Sequence, residues 1–357
     1  MQIAFVTPSL RLGGYEKVII SYANELAARG HQVSILCGHC SGELEKNVHD
    51  NVEKIDFNAR ARTYLFPLST YLRSHRVDIL YSGFRDYNCI CVLAKKITHS
   101  KSTCLYATQH GFQGKSILNA FQSRLLKNAD RLVAVSAGVA DNESKDLGLK
   151  RDNFYILGNP VLDVSAQVPT ESHRWFSDAV KTPIIVMCGR LAPDKKYDIA
   201  LNVVKRIKAK YDVKLLILGD GPEKQNLIAQ CEDLGLSDSV DFLGYVDNPI
   251  GYMKRCSLFL HTAMQEGFGN VVVEAMYAGI PVCVTNCSGP MEIIQNGKYG
   301  MNLGSVNDRN FIENAAQKVL AVLKSEATYP GSYERALCYD IKYATDQFLR
   351  IKDGKNT

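Results

Sequence analysis

The sequence has no apolar run approaching the 18 or so residues that a membrane-crossing helix requires, so no transmembrane span is expected. Its opening, Met1-Gln2-Ile3-Ala4-Phe5-Val6-Thr7, lacks a basic segment followed by an apolar one, so no signal peptide is expected. Low-complexity tracts and internal repeats are absent, which argues against a linker-like or solenoid chain. The full dinucleotide fingerprint G-x-G-x-x-G is also missing, and so is any recognised nucleic-acid-binding module. The one C-x-x-C motif, Cys37-Gly38-His39-Cys40, follows a strand-like run at 33–36, whereas redox pairs open a helix. No second Cys/His pair stands at ligand spacing, so zinc is disfavoured and no metal is expected.

What is present is a globular composition. The 357 residues are 46% hydrophobic and 22% charged, a length that suits two domains better than one. Eleven scattered cysteines, an odd number, fit reduced and partly buried thiols in a cytoplasm. The net charge of +5 is uneven: residues 1–160 carry a balance of +6 and the remainder −1. Six of the eight histidines lie in the same basic half.

Short apolar runs alternate with helical patterns. Strands are predicted at 3–7, 33–36, 79–82, 104–108, 131–135 and 154–157, with a helix over 15–29 after Gly13-Gly14. The pattern restarts with strands at 183–189, 213–218, 240–243, 257–261 and 281–285 and helices at 198–210 and 271–277. This predicts two doubly wound, parallel-sheet α/β domains, 1–164 and 165–338, with 165–181 as linker. Such domains bind ligands at the C-terminal ends of their strands, so two facing domains place the site in a cleft.

Four groups of residues could carry chemistry there. Glu266 and Glu274 stand eight positions apart across Gly267-Phe268-Gly269-Asn270, before and inside a predicted helix. Backbone N–H groups at that helix start can bind an anion, and the carboxylates can accept from sugar hydroxyls. The same pair also fits a capping acid and a surface acid. Arg190 and Lys195 follow a strand in Gly189-Arg190-Leu191-Ala192-Pro193-Asp194-Lys195, offering a fork and a point charge for phosphate oxygens or simply solvated cations. Gly13-Gly14 lets backbone approach a phosphate. His110 lies just after a strand in the first half and is either a site residue or a structural one.

In order along the chain, several features resemble the family 4 retaining glycosyltransferases of GT-B fold over residues 1 to about 345. These are Gly13-Gly14, His110, Arg190 with Lys195, Gly219-x-Gly221-Pro222, Glu266 and Glu274 with Ala275-Met276, and Gly279-x-Pro281-Val282. The sequence departs from the family at Lys196, where glycine is common. The resemblance implies two Rossmann-like domains facing across a cleft, the first binding acceptor and the second a nucleotide sugar. Residues 339–357 would carry a last helix back to the first domain. It also implies roles. Glu274 would take the ribose hydroxyls and Glu266 those of the transferred sugar. Arg190 and Lys195 would neutralise the diphosphate, with the amides of Phe268, Gly269 and Asn270. Gly13 and Gly14 would close over the phosphates. The segment with Gly244 and Val246 would line the base pocket, and His110 would lie near the sugar and acceptor hydroxyl. Transfer would proceed with retention and without cofactor or metal, and no D-x-D motif is present. UDP is the more frequent donor nucleotide, with GDP the alternative. A nucleotide-sugar epimerase of the same fold and a non-catalytic nucleotide-sugar-binding or membrane-interaction protein are the competing functions.

The acceptor is expected to be a glycan or a lipid-linked intermediate of envelope polysaccharide. Residues 87–129 contain no Asp or Glu but six basic residues, among them Lys115, Arg124 and Lys127, interleaved with Ile117, Leu118, Phe121, Leu125 and Leu126. Residues 57–77 are also acid-free, with Arg60, Arg62, Arg73 and Arg76 around Tyr64-Leu65-Phe66. Both stretches fit an anionic membrane surface on the cytoplasmic side, or a solvated basic face. Nucleic acid is not an expected partner.

Overall fold

A computed structural model describes residues 1–112, 118–176 and 182–355 and divides the chain into two α/β units. The first comprises Met1–Val161 and Tyr339–Thr357, the second Leu162–Cys338.

The first unit is built on seven strands: β1 (Gln2–Ser9), β2 (Gln32–His39), β3 (Glu53–Asp56), β4 (Ile79–Ser82), β5 (Cys104–Gln109), β6 (Arg131–Ala134) and β7 (Phe154–Ile156). Their order is β3-β2-β1-β4-β5-β6-β7, and every pair is parallel. The central strands are apolar runs without alternation, as burial on both faces demands: Phe5, Ile35, Leu36, Ile79 and Leu80 are fully buried. Edge strand β3 reads Glu-Lys-Ile-Asp and is mostly exposed. Its charges hid it from pattern reading, and they also blunt the sheet edge.

The second unit has six strands: β8 (Ile184–Cys188), β9 (Lys214–Leu218), β10 (Val240–Gly244), β11 (Leu258–His261), β12 (Val282–Val284) and β13 (Met301–Asn302). They run in the order β10-β9-β8-β11-β12-β13, again all parallel. Strand β13, two residues long, is too short to leave a sequence pattern.

In each sheet the order reverses beside the first strand, between β1 and β4 and between β8 and β11. Connections leave such a reversal point in opposite directions, which opens a crevice at the C-terminal strand ends.

The last helix, Ile341–Lys352, belongs to the first unit. Phe348 is fully buried and packs its ring against Phe5, Tyr22, Tyr81 and Tyr106. Arg131 donates to the carbonyls of Ile351 and Lys352 at 2.7 and 2.9 Å and so fixes the helix C-terminus. The predicted linker is corrected in its first part. Residues 168–176 are bound to the second unit: Lys254 donates to the Val168 carbonyl, Asn248 to that of Pro169, and Trp175 is buried. Residues 177–181 lie outside the described residues.

All eleven cysteines are free thiols. Cys37 is buried within β2, so the C-x-x-C motif closes a strand. Among the described residues no helix is long and apolar enough to cross a membrane.

Candidate active site

The second unit concentrates its charged candidates at the β8/β11 reversal. The loop after β8 carries Arg190 and Lys195, and the loop after β11 carries Glu266. Close packing of strand ends shapes the first loop. Gly219 has φ +140, and a Cβ there would stand 1.9 Å from the Gly189 carbonyl oxygen, so no other residue fits. Its N–H donates to the Gly244 carbonyl, tying the end of β9 to that of β10.

Lys195 Nζ lies 2.6 Å from Glu266 Oε2 and 3.4 Å from Asp194 Oδ2. Burial works against the charge of Lys195, but these two carboxylates outweigh it and raise its pKa above the usual lysine range. Burial likewise opposes ionisation of Glu266. The His261 imidazole and the Lys195 ammonium reverse that and hold its carboxyl at about 2. Lys195 and Glu266 are therefore both ionised at neutral pH.

Thr262, which sequence reasoning missed, locks the two loops together. Its hydroxyl donates to the carbonyls of Lys195 and Lys196 at 3.0 and 2.9 Å. The Met264 N–H adds a bond to the Asp194 carbonyl at 2.8 Å. Lys196 itself adopts φ +53 and ψ +43, the left-handed region that glycine occupies without cost. The departure noted at this position changes the residue and keeps a left-handed backbone. On the other side of β11, Thr285 and Cys287 donate to the Ala263 carbonyl.

The helix Asn270–Tyr277 starts directly after Gly269, whose φ is +102, so Glu274 lies one turn inside. Phe268 is buried, and Asn270 is the first helical residue. Tyr245 lies close enough to Glu274 for that charge to contribute to its raised pKa, behind burial, Asp247 and Cys188. The segment Gly244–Val246 and the predicted ribose acid thus share one end of the sheet. Arg190 is exposed, and among the described residues no hydrogen bond or ion pair joins its side chain to Lys195 or Glu266. The structure brings Lys195 and Glu266 together and leaves Arg190 turned to solvent.

The first unit builds a different set of strand ends. Gly13 precedes the helix Gly14–Ala28, and nothing lies within 4 Å of a Cβ placed on Gly14, so backbone there is open to approach. His110 follows β5. Its Nε2 is 2.7 Å from the Tyr81 hydroxyl, and Tyr15 meets the ring edge-on with centroids 4.8 Å apart. Tyr15 is itself anchored by donating to the Val6 carbonyl at 2.6 Å. Burial among these aromatics pulls the His110 pKa down to about 3, so the imidazole is neutral at pH 7. Neither tyrosine was read as a site residue from sequence, although Tyr81 lies within the strand predicted at 79–82.

The basic surface is partly corrected. Arg60, Arg62, Arg124 and Lys127 are exposed, whereas Lys115 and Ile117 lie outside the described residues. Phe66, Phe121 and Leu118 are 74%, 58% and 53% exposed. Tyr64 instead is buried and donates to the Leu36 carbonyl, and Leu125 and Leu126 face the core. Tyr64, Leu125 and Leu126 are therefore packing residues.

A family model described as glycosyl transferases group 1 matches residues 170–336, and one described as Glycosyltransferase Family 4 matches residues 12–162. The chain is 30% identical over 249 residues to the lipopolysaccharide core biosynthesis glycosyltransferase LpsE of Rhizobium meliloti, covering 67% of this chain and 69% of LpsE. It is 25% identical over 342 residues to N-acetyl-alpha-D-glucosaminyl L-malate synthase of Bacillus anthracis, covering 91% and 88% of the two chains. Among solved structures, Anabaena Alr3699/HepE in complex with UDP superposes with a TM-score of 0.81 at 19% identity, covering 99% of this chain and all of that one.

Proposed function

Because the chain belongs to the family 4 glycosyltransferases and has the GT-B fold, we propose that it moves a sugar from a nucleoside-diphosphate donor, UDP-linked, to a hydroxyl of a glycan or lipid-linked acceptor. The reaction retains anomeric configuration and uses no metal ion or cofactor. One observation carries the reading: the charged pair Lys195–Glu266 stands at the reversal of the second sheet, where open α/β sheets bind ligands.

As the bond from the anomeric carbon to the phosphate breaks, negative charge grows on the diphosphate. Lys195, Arg190 and the amides of Phe268, Gly269 and Asn270 stabilise it. Glu274 accepts from the ribose hydroxyls, Glu266 accepts from hydroxyls of the departing sugar, and Gly244 and Val246 border the base. Gly13 and Gly14 leave room for the phosphates. The acceptor hydroxyl attacks from the face that the phosphate leaves. A histidine with a pKa near 3 is a poor resting place for the acceptor proton, so the leaving phosphate oxygen takes it and His110 orients the sugar.

UDP is supported by the fold's likeness to a UDP complex, and envelope polysaccharide by the name of the relative. We assign Arg60, Arg62, Arg124 and Lys127, with Lys115, to an anionic membrane or lipid-diphosphate acceptor at the cytoplasmic face. Exposed Phe66 and Phe121 support that assignment.

The test is a panel of UDP- and GDP-sugars. A ligand at 100 times its Kd adds about 2.7 kcal/mol of stability, readable as a thermal shift. The binding donor is then incubated with acceptor extracts, and glycosylated product is sought by mass spectrometry. Isomerised donor without product points to an epimerase. Absence of any shift removes the nucleotide-sugar site.

A further inference from the structure

His261 has no part in the chemistry above, yet its surroundings are unusual. It is the last residue of β11, 6% exposed, and held by the Thr285 N–H donating to its carbonyl. Neither ring nitrogen has a hydrogen-bond partner among the described residues. Nε2 stands 3.7 Å from Glu266 Oε2, too long for a hydrogen bond and short enough for strong charge interaction. A buried imidazole with both nitrogens unused is costly unless some state of the protein uses them.

The donor supplies such a state. Lys195 is occupied by Glu266 and Asp194. A diphosphate arriving at Lys195 brings more negative charge than either carboxylate and draws the ammonium toward itself. Glu266, whose side chain is 22% exposed, then loses its nearest cation and gains an anion nearby. A half-buried carboxylate in that position must find a new cation or take a proton. The other titratable groups around it are no help. Asp194 is an acid, and Tyr197 and Cys287 are neutral with pKa values raised first by burial. Among the described residues, His261 is the one group besides Lys195 that can carry positive charge within 4 Å of Oε2.

Resting on the donor site proposed above, we propose that His261 is the reserve cation of Glu266. Binding of the diphosphate at Lys195 is coupled to uptake of one proton from solvent by the His261 imidazole. The imidazolium keeps Glu266 an ionised acceptor for the sugar hydroxyls. His261 is thus a positioning residue acting through Glu266, and it makes donor affinity depend on pH.

The test uses the intact protein and a nucleotide sugar, such as UDP-glucose or UDP-N-acetylglucosamine. A diphosphate esterified at both ends has no phosphate proton to exchange near pH 7, whereas free UDP does. Calorimetric titration at pH 7 in buffers of different ionisation enthalpy reads the protons exchanged. Wild type is expected to take up a substantial fraction of one proton. Its affinity should weaken as pH rises, by up to about tenfold per unit while one proton is linked. His261→Asn, which keeps a polar side chain, should bind without uptake and with a flat pH profile. Glu266→Gln should also lose the uptake, because the imidazole no longer has an anion to serve. Binding without proton uptake in wild type overturns the proposal and leaves the donor site standing. So does uptake that persists in His261→Asn. If no UDP- or GDP-sugar binds wild type, the donor site falls and this proposal with it.

Discussion

In each unit an ion pair takes its cation from the segment after a strand that flanks the sheet's reversal, and the two pairs are built to opposite ends. In the first unit Arg85 follows β4 and meets Glu143 at 2.5 Å, with side chains 2% and 0% exposed. Asn119 Oδ1 accepts a further bond from Arg85. Burial raises the Glu143 pKa, although Arg85 acts to lower it. In the second unit Lys195 and Glu266 are 24% and 22% exposed, and Glu266 is held far below the usual carboxylate range. A sealed pair cannot trade its partner for a ligand without exposing an unpaired charge in the core. An accessible pair can. Position at the strand ends is therefore not enough to mark a functional ion pair. Access and an exchangeable cation decide it.

Breaking each pair should separate the roles. Glu143→Ala removes the carboxylate that Arg85 meets in the core, and should cost about 3–5 kcal/mol of first-unit stability in chemical denaturation. The double change Arg85→Met with Glu143→Leu should recover most of that loss. Lys195→Ala and Arg190→Ala should instead lower turnover by roughly 10²–10³ each. Near wild-type transfer by both would remove them from the reaction.

Acid titration sharpens the contrast further. His110 has a folded pKa below its ordinary 6.5, so its contribution is complete above 6.5 and is lost as pH falls toward about 3. Glu266 is also depressed, so its contribution is complete above 4.5 and is lost toward about 2. The first unit should weaken at milder acidity than the second. His110→Gln and Glu266→Gln should each flatten only its own window, measured by denaturation across pH.

The smaller effects lie in the loop that presents Lys195. Thr262→Val removes the hydroxyl bridge to two carbonyls and should cost about 0.5–1.5 kcal/mol, with a raised KM for donor. Lys196→Gly relieves a left-handed backbone worth about 1–2 kcal/mol but adds freedom to the unfolded chain. A net gain below about 1 kcal/mol in the denaturation midpoint is expected.

The sheet architecture was legible because buried parallel strands spell apolar runs, and because Gly13-Gly14 and Gly219 break the chain where strands end, Gly219 at a turn that demands it. Charged β3 and two-residue β13 carry no such signal. Arg190, Lys195, Glu266 and Glu274 stood out through spacing and resemblance. Thr262, His261 and Tyr81 did not, since each lies at or next to a strand end and becomes a site residue only when another segment folds against it. The apolar residues interleaved with basic ones could not be sorted by sequence either. Helical spacing places Leu125 and Phe121 equally well on either face, and packing alone buries the first and exposes the second.

The aromatic plug at Phe348 sets the order in which the protein can be completed on the ribosome. Strands β1 to β7 emerge first, yet the ring that fills the space among Phe5, Tyr22, Tyr81 and Tyr106 emerges only after all of the second unit. The half of the chain that begins synthesis is thus the last to close. Until its final turn docks, the nascent first unit waits with an open apolar slot, a point where a chaperone could hold it and where early termination would be most damaging.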